Sequence, residues 1–228
     1  MFDGRFRAPI EKAIKPVGDK LRRTRLTPDH LTLIGLLVAV GAAITIGLGH
    51  LQLGVLLVVL AAIPDLLDGA LAKASGAASP RGAYFDSVAD RVTDMLLFGG
   101  VAWFFAADDR GVLALLPVAV MSFSMLISYQ RAKAESLGLS AKGGLMERAE
   151  RIILLCIGLL IPVLLVPILW LMLALTALTA GQRFAKVWRQ ANAAPVVLER
   201  QAARRQRLTT RRSARSRRWA ELRSNRGF

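Results

Sequence analysis

Asp65-Leu-Leu-Asp68-Gly69-Ala-Leu-Ala72-Lys73, followed after eight residues by Gly82-Ala-Tyr-Phe-Asp86-Ser-Val-Ala-Asp90-Arg91, decides how this chain is read. Four aspartates fall between positions 65 and 90, flanked on both sides by long apolar runs. Ionisable groups beside or within such runs are expensive and usually functional. Asp65 and Asp68 are three apart and Asp86 and Asp90 four apart, so on helices each pair shares one face. Two such faces brought together form an all-oxygen cage suited to a hard divalent cation such as Mg²⁺. Acidic helix ends paired with nearby bases would also place carboxylates here, but four of them beside a membrane call for a stronger reason.

Outward from this stretch, the chain of 228 residues is 54% hydrophobic, with a mean hydropathy of +0.44. The apolar residues are concentrated in spans of the length that crosses a hydrocarbon core, roughly 20 residues for about 30 Å. The first expected span runs from about Leu31 to Gly49, opened by Thr27-Pro28-Asp29. The second starts near Leu53 and delivers Asp65 and Asp68 at its end. Lys73 to Arg81, with Gly76, Ser79 and Pro80, reads as a loop. A third helix starts near Gly82, carries Asp86, Asp90 and Asp94, and reaches about Ala107. After a turn at Asp108-Asp109-Arg110-Gly111, the fourth span covers about Val112 to Tyr129 and continues as a polar helix through Glu135. Ser136 to Glu150 reads as a glycine-containing loop. The fifth span covers about Ile152 to Val166, and Pro167 begins a sixth that ends near Ala180.

Residues 1–25 alternate basic and apolar groups at helical intervals and are expected to form an amphipathic interfacial helix, kinked or divided at Pro16. The expected fold is therefore all-α and integral to a membrane, with six transmembrane helices over 26–190 and a basic tail over 191–228. The net charge is +15, and most of the excess lies after Gln182. On a membrane protein the nearer partner for such a tail is anionic lipid, and no specific nucleic-acid role is expected. Basic residues occupy alternate connections, so the positive-inside rule puts both termini and the aspartates on the cytoplasmic side of the cell membrane. The single cysteine, Cys156, excludes an intrachain disulfide.

The aspartate spacing resembles the signature D-x2-D-G-x2-A-R-x8-G-x3-D-x3-D of the CDP-alcohol phosphotransferases, membrane enzymes of phospholipid synthesis. Every position fits except Lys73, where the family usually has Arg. Lysine can still neutralise phosphate, as a point charge without the bidentate fork. The resemblance implies two divalent ions, Mg²⁺ or alternatively Mn²⁺, held by Asp65, Asp68, Asp86 and Asp90, with Asp90 also the general base. It implies a homodimer, and CDP-diacylglycerol bound near Asp29, Gly69, Lys73, Ser79 and Gly82. Asp94, further along the same helix face, is expected to be a structural or supporting acid.

A second set of residues bears on the acceptor. YQRAKAE at 129–135, ERAER at 147–151 and Gln182-Arg183 resemble segments of the actinobacterial phosphatidylinositol phosphate synthases. In that group they read Y-x-K-A-R-A-E, E-R-P-E-R and Q-R. Arg131 and Lys133 are thus swapped here, and Ala149 replaces Pro. The resemblance implies that Arg131, Lys133, Arg148, Arg151 and Arg183 bind the phosphate of L-myo-inositol 1-phosphate. Each cation alone is equally consistent with a boundary residue whose charged head reaches the interface. Glycerol 3-phosphate is the alternative acceptor. A cation carrier, from a different class, would hold its carboxylates nearer the midplane.

Overall fold

Thr27 starts the first described helix. Its Oγ1 accepts the His30 backbone N–H at 3.3 Å, and its own N–H donates to His30 Nδ1 at 3.3 Å, a reciprocal cap. Pro28 follows at the position where a missing N–H costs nothing. The structure, a computed structural model, describes residues 27–75, 79–108, 111–141 and 143–224. The side chains of 65–75 and 194–224 are outside that description, and the interfacial helix expected over 1–25 also lies outside the described residues. Among the described residues six α-helices follow in order: α1 (Pro28–Gly47), α2 (Leu51–Ser75), α3 (Pro80–Ala106), α4 (Leu115–Ser136), α5 (Arg148–Leu160) and α6 (Pro162–Ser224). A short 3₁₀ turn, Gly111–Ala114, precedes α4, and there is no strand among the described residues.

α1 is the helix on which α2 and α3 pack. Its buried stripe, besides Leu31 and Ile46, is made of small residues, Gly35, Ala39, Ala42, Ala43 and Gly47, and these let backbones approach closely. The tightest approach is at Gly100 of α3, where an added Cβ would lie 2.6 Å from the Ala43 carbonyl oxygen. Gly35 meets α2 in a similar way, 3.1 Å from the Ala61 oxygen by the same construction. On the far side, α6 packs against α4 and α5. Leu97, Phe98, Val101 and Phe105 of α3 join Leu155 and Leu159 of α5 and Leu165, Leu169 and Met172 of α6 in one buried core. The outward residues of α1 and α2 are also apolar, among them Leu37, Ile44, Leu56 and Val59, as lipid-facing surfaces are.

Among the described residues, three segments are long and apolar enough to cross a membrane: Pro28–Gly47, Gly111–Ser136 and Pro162–Ala193. Leu51–Pro64 is a shorter apolar helix. α3 is long enough, but Arg81, Asp86, Asp90, Arg91 and Asp94 occupy its first half. α5 has only 13 residues, about 20 Å at 1.5 Å per residue.

Several boundaries differ from the sequence expectation. The loop before α3 is shorter, because α2 continues through Ser75 and Ser79 caps α3. α5 starts at Arg148 rather than near Ile152, which moves both of its arginines into the helix. The break between the last two helices is at Pro162, not Pro167. The residue before a proline is driven out of the helical region, and Ile161 duly sits at φ −120°, ψ 89°. Pro167 is carried inside α6. Nor does α6 end near Ala180: its backbone stays helical through Ser224.

Candidate active site at the aspartate and arginine helix ends

The N-termini of α1 and α3 lie side by side. Ser79 Oγ accepts the Gly82 backbone N–H at 3.1 Å and so caps α3. A Cβ on Gly82 would lie 3.3 Å from Ser79 Oγ and 3.9 Å from Asp29 Oδ1. Asp29 also meets Arg81 at 3.5 Å. Asp29, Ser79 and Gly82, three of the residues expected at the nucleotide-lipid, are thus neighbours at two helix N-termini, which favour phosphate through their free N–H groups and dipoles. Gly69 and Lys73 fall on the helical backbone of α2, and their side chains are outside the described set.

Asp86 comes one turn after Gly82, and Asp90 one turn after that. Both are partly buried. Asp90 lines a small cavity between α1, α2, α3 and α5, together with Thr32, Ala61, Thr93 and Arg148. Its Oδ1 meets Arg148 at 2.5 Å and its Oδ2 meets Arg91 at 3.2 Å. Asp65 and Asp68 belong to the continuous helix α2, and Asp65 is one turn beyond Ala61 of that cavity. No three carboxylate, imidazole or thiol groups converge among the described residues, a set that omits the side chains of Asp65 and Asp68. The donor chemistry nevertheless fits a hard divalent ion. All four candidates are carboxylates, paired one turn apart on two helices that border one cavity.

The arginines expected at the acceptor divide into three situations. Arg148, the first residue of α5, bridges Asp90 and, through Nε at 3.7 Å, Asp94. Arg151, one turn on, is buried and donates from Nη2 to Asp94 Oδ2 at 2.7 Å. Its Nε is buried with no hydrogen-bond partner, as are Gln130 Oε1 and Glu150 Oε2. Arg183 is buried on α6 and works as a tie. Nε donates to the Gly143 carbonyl at 2.9 Å, Nη1 to the Ile127 carbonyl at 3.2 Å, and Nη2 to Glu147 Oε1 at 3.4 Å. Arg131 is exposed at the end of α4 and pairs with Glu135 at 3.1 Å, and Lys133 is exposed beside it. Arg91, Arg131 and Arg151 lie within electrostatic reach of Arg183, with Glu147 as the facing carboxylate.

Arg91, outside the expected site, and Asp94, expected as a supporting acid, both belong to this network. Arg91 reaches Asp90 and the Arg183 cluster, and its signal was its place directly after the last aspartate of the motif. Asp94 is the counter-charge of Arg151, and its signal was the repeat of the four-residue interval from Asp86 through Asp90.

The sequence profile of CDP-alcohol phosphatidyltransferases matches residues 25–182. The chain belongs to that family. It is therefore a transferase, and its apolar helices make it a membrane protein. It is 34% identical to a phosphatidylinositol phosphate synthase of Mycobacterium marinum, over 80% of this chain and 82% of that one. It is 43% identical to one from Cutibacterium acnes, over 65% of this chain and 72% of that one. The fold matches the crystal structure of the Mycobacterium tuberculosis phosphatidylinositol phosphate synthase with CDP-DAG bound. The TM-score is 0.73 at 32% identity, covering 78% of this chain and 94% of that one. A second structure of that synthase, in complex with manganese and citrate, matches with a TM-score of 0.72 at 33% identity, covering 77% and 88%.

Proposed function

We propose that this protein transfers the phosphatidyl group of CDP-diacylglycerol to L-myo-inositol 1-phosphate, releasing CMP and forming phosphatidylinositol phosphate. The observation that carries this reading is the seating of Arg148 and Arg151 of α5 directly against Asp90 and Asp94 of α3. Cations for an anionic acceptor thereby stand beside the carboxylate that would take the acceptor's proton. The similarity to phosphatidylinositol phosphate synthases over most of both chains supports the same acceptor.

The residues divide the work in a consistent way. Asp65, Asp68, Asp86 and Asp90 would hold two Mg²⁺ ions, or Mn²⁺ in their place. Bound there, such ions polarise the pyrophosphate and stabilise the departing CMP oxygen. Asp29, Ser79 and Gly82 shape the ground at which the pyrophosphate approaches two helix N-termini, and Gly69 and Lys73 extend that ground from α2. Asp90 is the general base, one helix turn from Asp86, and must come within hydrogen-bond reach of the acceptor hydroxyl. Arg148 and Arg151 bind the acceptor phosphate through charge-assisted hydrogen bonds, for which the partnerless Nε of Arg151 is a ready donor. Arg131, Lys133 and Arg183 would complete the set of cations that binds the acceptor phosphate.

The chain would act as a homodimer in the cell membrane, with six spans, α3 and α5 completing the set. Both termini and the aspartates would face the cytoplasm, with the basic extension of α6 against anionic lipid. The test is purified protein with labelled CDP-diacylglycerol and inositol 1-phosphate, followed for CMP and lipid product. Activity should vanish with a chelator and return with Mg²⁺ or Mn²⁺. Asp65→Asn and Asp86→Asn should each lower turnover by orders of magnitude. Near-normal turnover in either folded variant would defeat the carboxylate assignment.

A further inference from the structure

Three side chains of α6 hold the connection between α4 and α5, and they do so from one face. Thr179, Arg183 and Gln190 are spaced by four and seven residues, which places them within about 40° of one another around the helix. Thr179 Oγ1 accepts the buried Met146 N–H at 3.1 Å while donating its own proton to the Leu175 carbonyl at 2.8 Å. Gln190 pairs with the Ser140 backbone in both directions. Its Nε2 donates to the Ser140 carbonyl at 2.7 Å, and its Oε1 accepts the Ser140 N–H at 3.0 Å. Between these two ties, Arg183 takes the Gly143 carbonyl. Gly143 and Gly144 have φ of +93° and +149°, and a Cβ on Gly144 would collide with Thr179 Cγ2, so the backbone itself is laid against α6.

This connection ends at Glu147, and the next residue is Arg148. α5 has no side-chain cap at its N-terminus, and Glu147 turns to Arg183 instead. The position of the first turn of α5 is therefore set from α6 through the tethered connection. That turn holds the two arginines facing Asp90 and Asp94.

We propose that Thr179 and Gln190 are positioning residues for the acceptor site, latching Ser140 and Met146 to α6 so that Arg148 and Arg151 meet the acceptor phosphate in a fixed geometry. The role depends on those arginines holding the acceptor phosphate, as proposed above. Thr179→Val keeps the shape but leaves the Met146 N–H buried without an acceptor, and Gln190→Ala removes both bonds to Ser140. The hydrogen bonds of both side chains go to the α4–α5 connection and to α6 itself, whereas the nucleotide-lipid is proposed to sit at the N-termini of α1 and α3.

The experiment measures KM for inositol 1-phosphate and for CDP-diacylglycerol in the full-length purified protein, alongside the melting temperature. Both variants should raise the acceptor KM roughly five- to tenfold, the scale of one or two lost hydrogen bonds, with the CDP-diacylglycerol KM within about twofold of wild type. Thr179→Ser, which retains the hydroxyl, should restore the acceptor KM. If Thr179→Val does not fold, Gln190→Ala, a change at a half-buried position, carries the test. An Arg148→Ala control separates the two levels of the argument. A raised acceptor KM in that control with unchanged values in both latch variants overturns the latch alone. Unchanged acceptor KM in Arg148→Ala overturns the acceptor assignment and the latch with it. Equal rises in both KM values would show general distortion and also overturn the latch.

Discussion

Replacing Asp94 by Asn tests the innermost contact of the site. Asp94 and Arg151 meet at 2.7 Å, with side chains 3% and 5% exposed, on helices 57 residues apart in sequence. Arg148 leans on the same carboxylate at 3.7 Å. Breaking a buried pair from one side leaves the other charge uncompensated and typically costs about 3–5 kcal/mol. Asn keeps one oxygen that can accept from Arg151, so the lower end applies, about 3 kcal/mol. For a domain of this size each kcal/mol is worth about 2–4 °C, so the melting temperature in detergent should fall by on the order of 10 °C. The acceptor KM should rise together with this loss, because Arg151 loses its charged anchor and Arg148, still held by Asp90, loses the weaker of its two carboxylate contacts. A double variant, Asp94→Leu with Arg151→Met, should melt well above the sum of the single losses, since an apolar pair of similar volume often replaces a buried ion pair without penalty. It should still bind acceptor poorly, having lost Arg151. Asp94→Asn melting within about 1 °C of wild type, or a double variant no better than additive, would refute the argument.

Gly100→Val should lower the melting temperature by several degrees or prevent folding. Its Cβ would fall 2.6 Å from a backbone oxygen of α1, and overpacking of that kind costs roughly 1–3 kcal/mol; wild-type thermal unfolding of the variant would contradict the close α1–α3 crossing. Reporters fused after residue 228 and inserted between residues 108 and 111 should report opposite sides of the membrane, because basic residues occupy alternate connections. The same side for both would break the six-span proposal.

Much of this architecture was legible because its signals are local. The aspartate intervals placed Asp86, Asp90 and Asp94 on one helix, and Thr27-Pro28 marked the start of α1. The apolar runs located the hydrophobic segments. What escaped depends on contacts between residues far apart in sequence. Arg183 was named through the resemblance as a phosphate ligand, but its ties to Gly143, Ile127 and Glu147 had no signal in the sequence. Thr179 and Gln190 carry no motif, and their importance arises only when the α4–α5 connection folds back on α6. The boundary at Pro162 was missed because two prolines five residues apart offer equivalent breaks. Only packing, with Gly158 against Leu165, selects the first.

Transfer of the phosphatidyl group to a phosphorylated inositol can be read from an acceptor competition. Purified full-length protein is given labelled CDP-diacylglycerol, a divalent cation, and inositol 1-phosphate, free inositol or glycerol 3-phosphate, singly and in mixture, with the lipid products separated and counted. The arginines of α5 require inositol 1-phosphate to be preferred over free inositol by a large factor, since a neutral polyol cannot make the charge-assisted hydrogen bonds that a phosphate makes with them. Phosphatidylinositol phosphate should therefore be the main product of the mixture. Equal use of free inositol, or glycerol 3-phosphate clearly outcompeting inositol 1-phosphate, would contradict it.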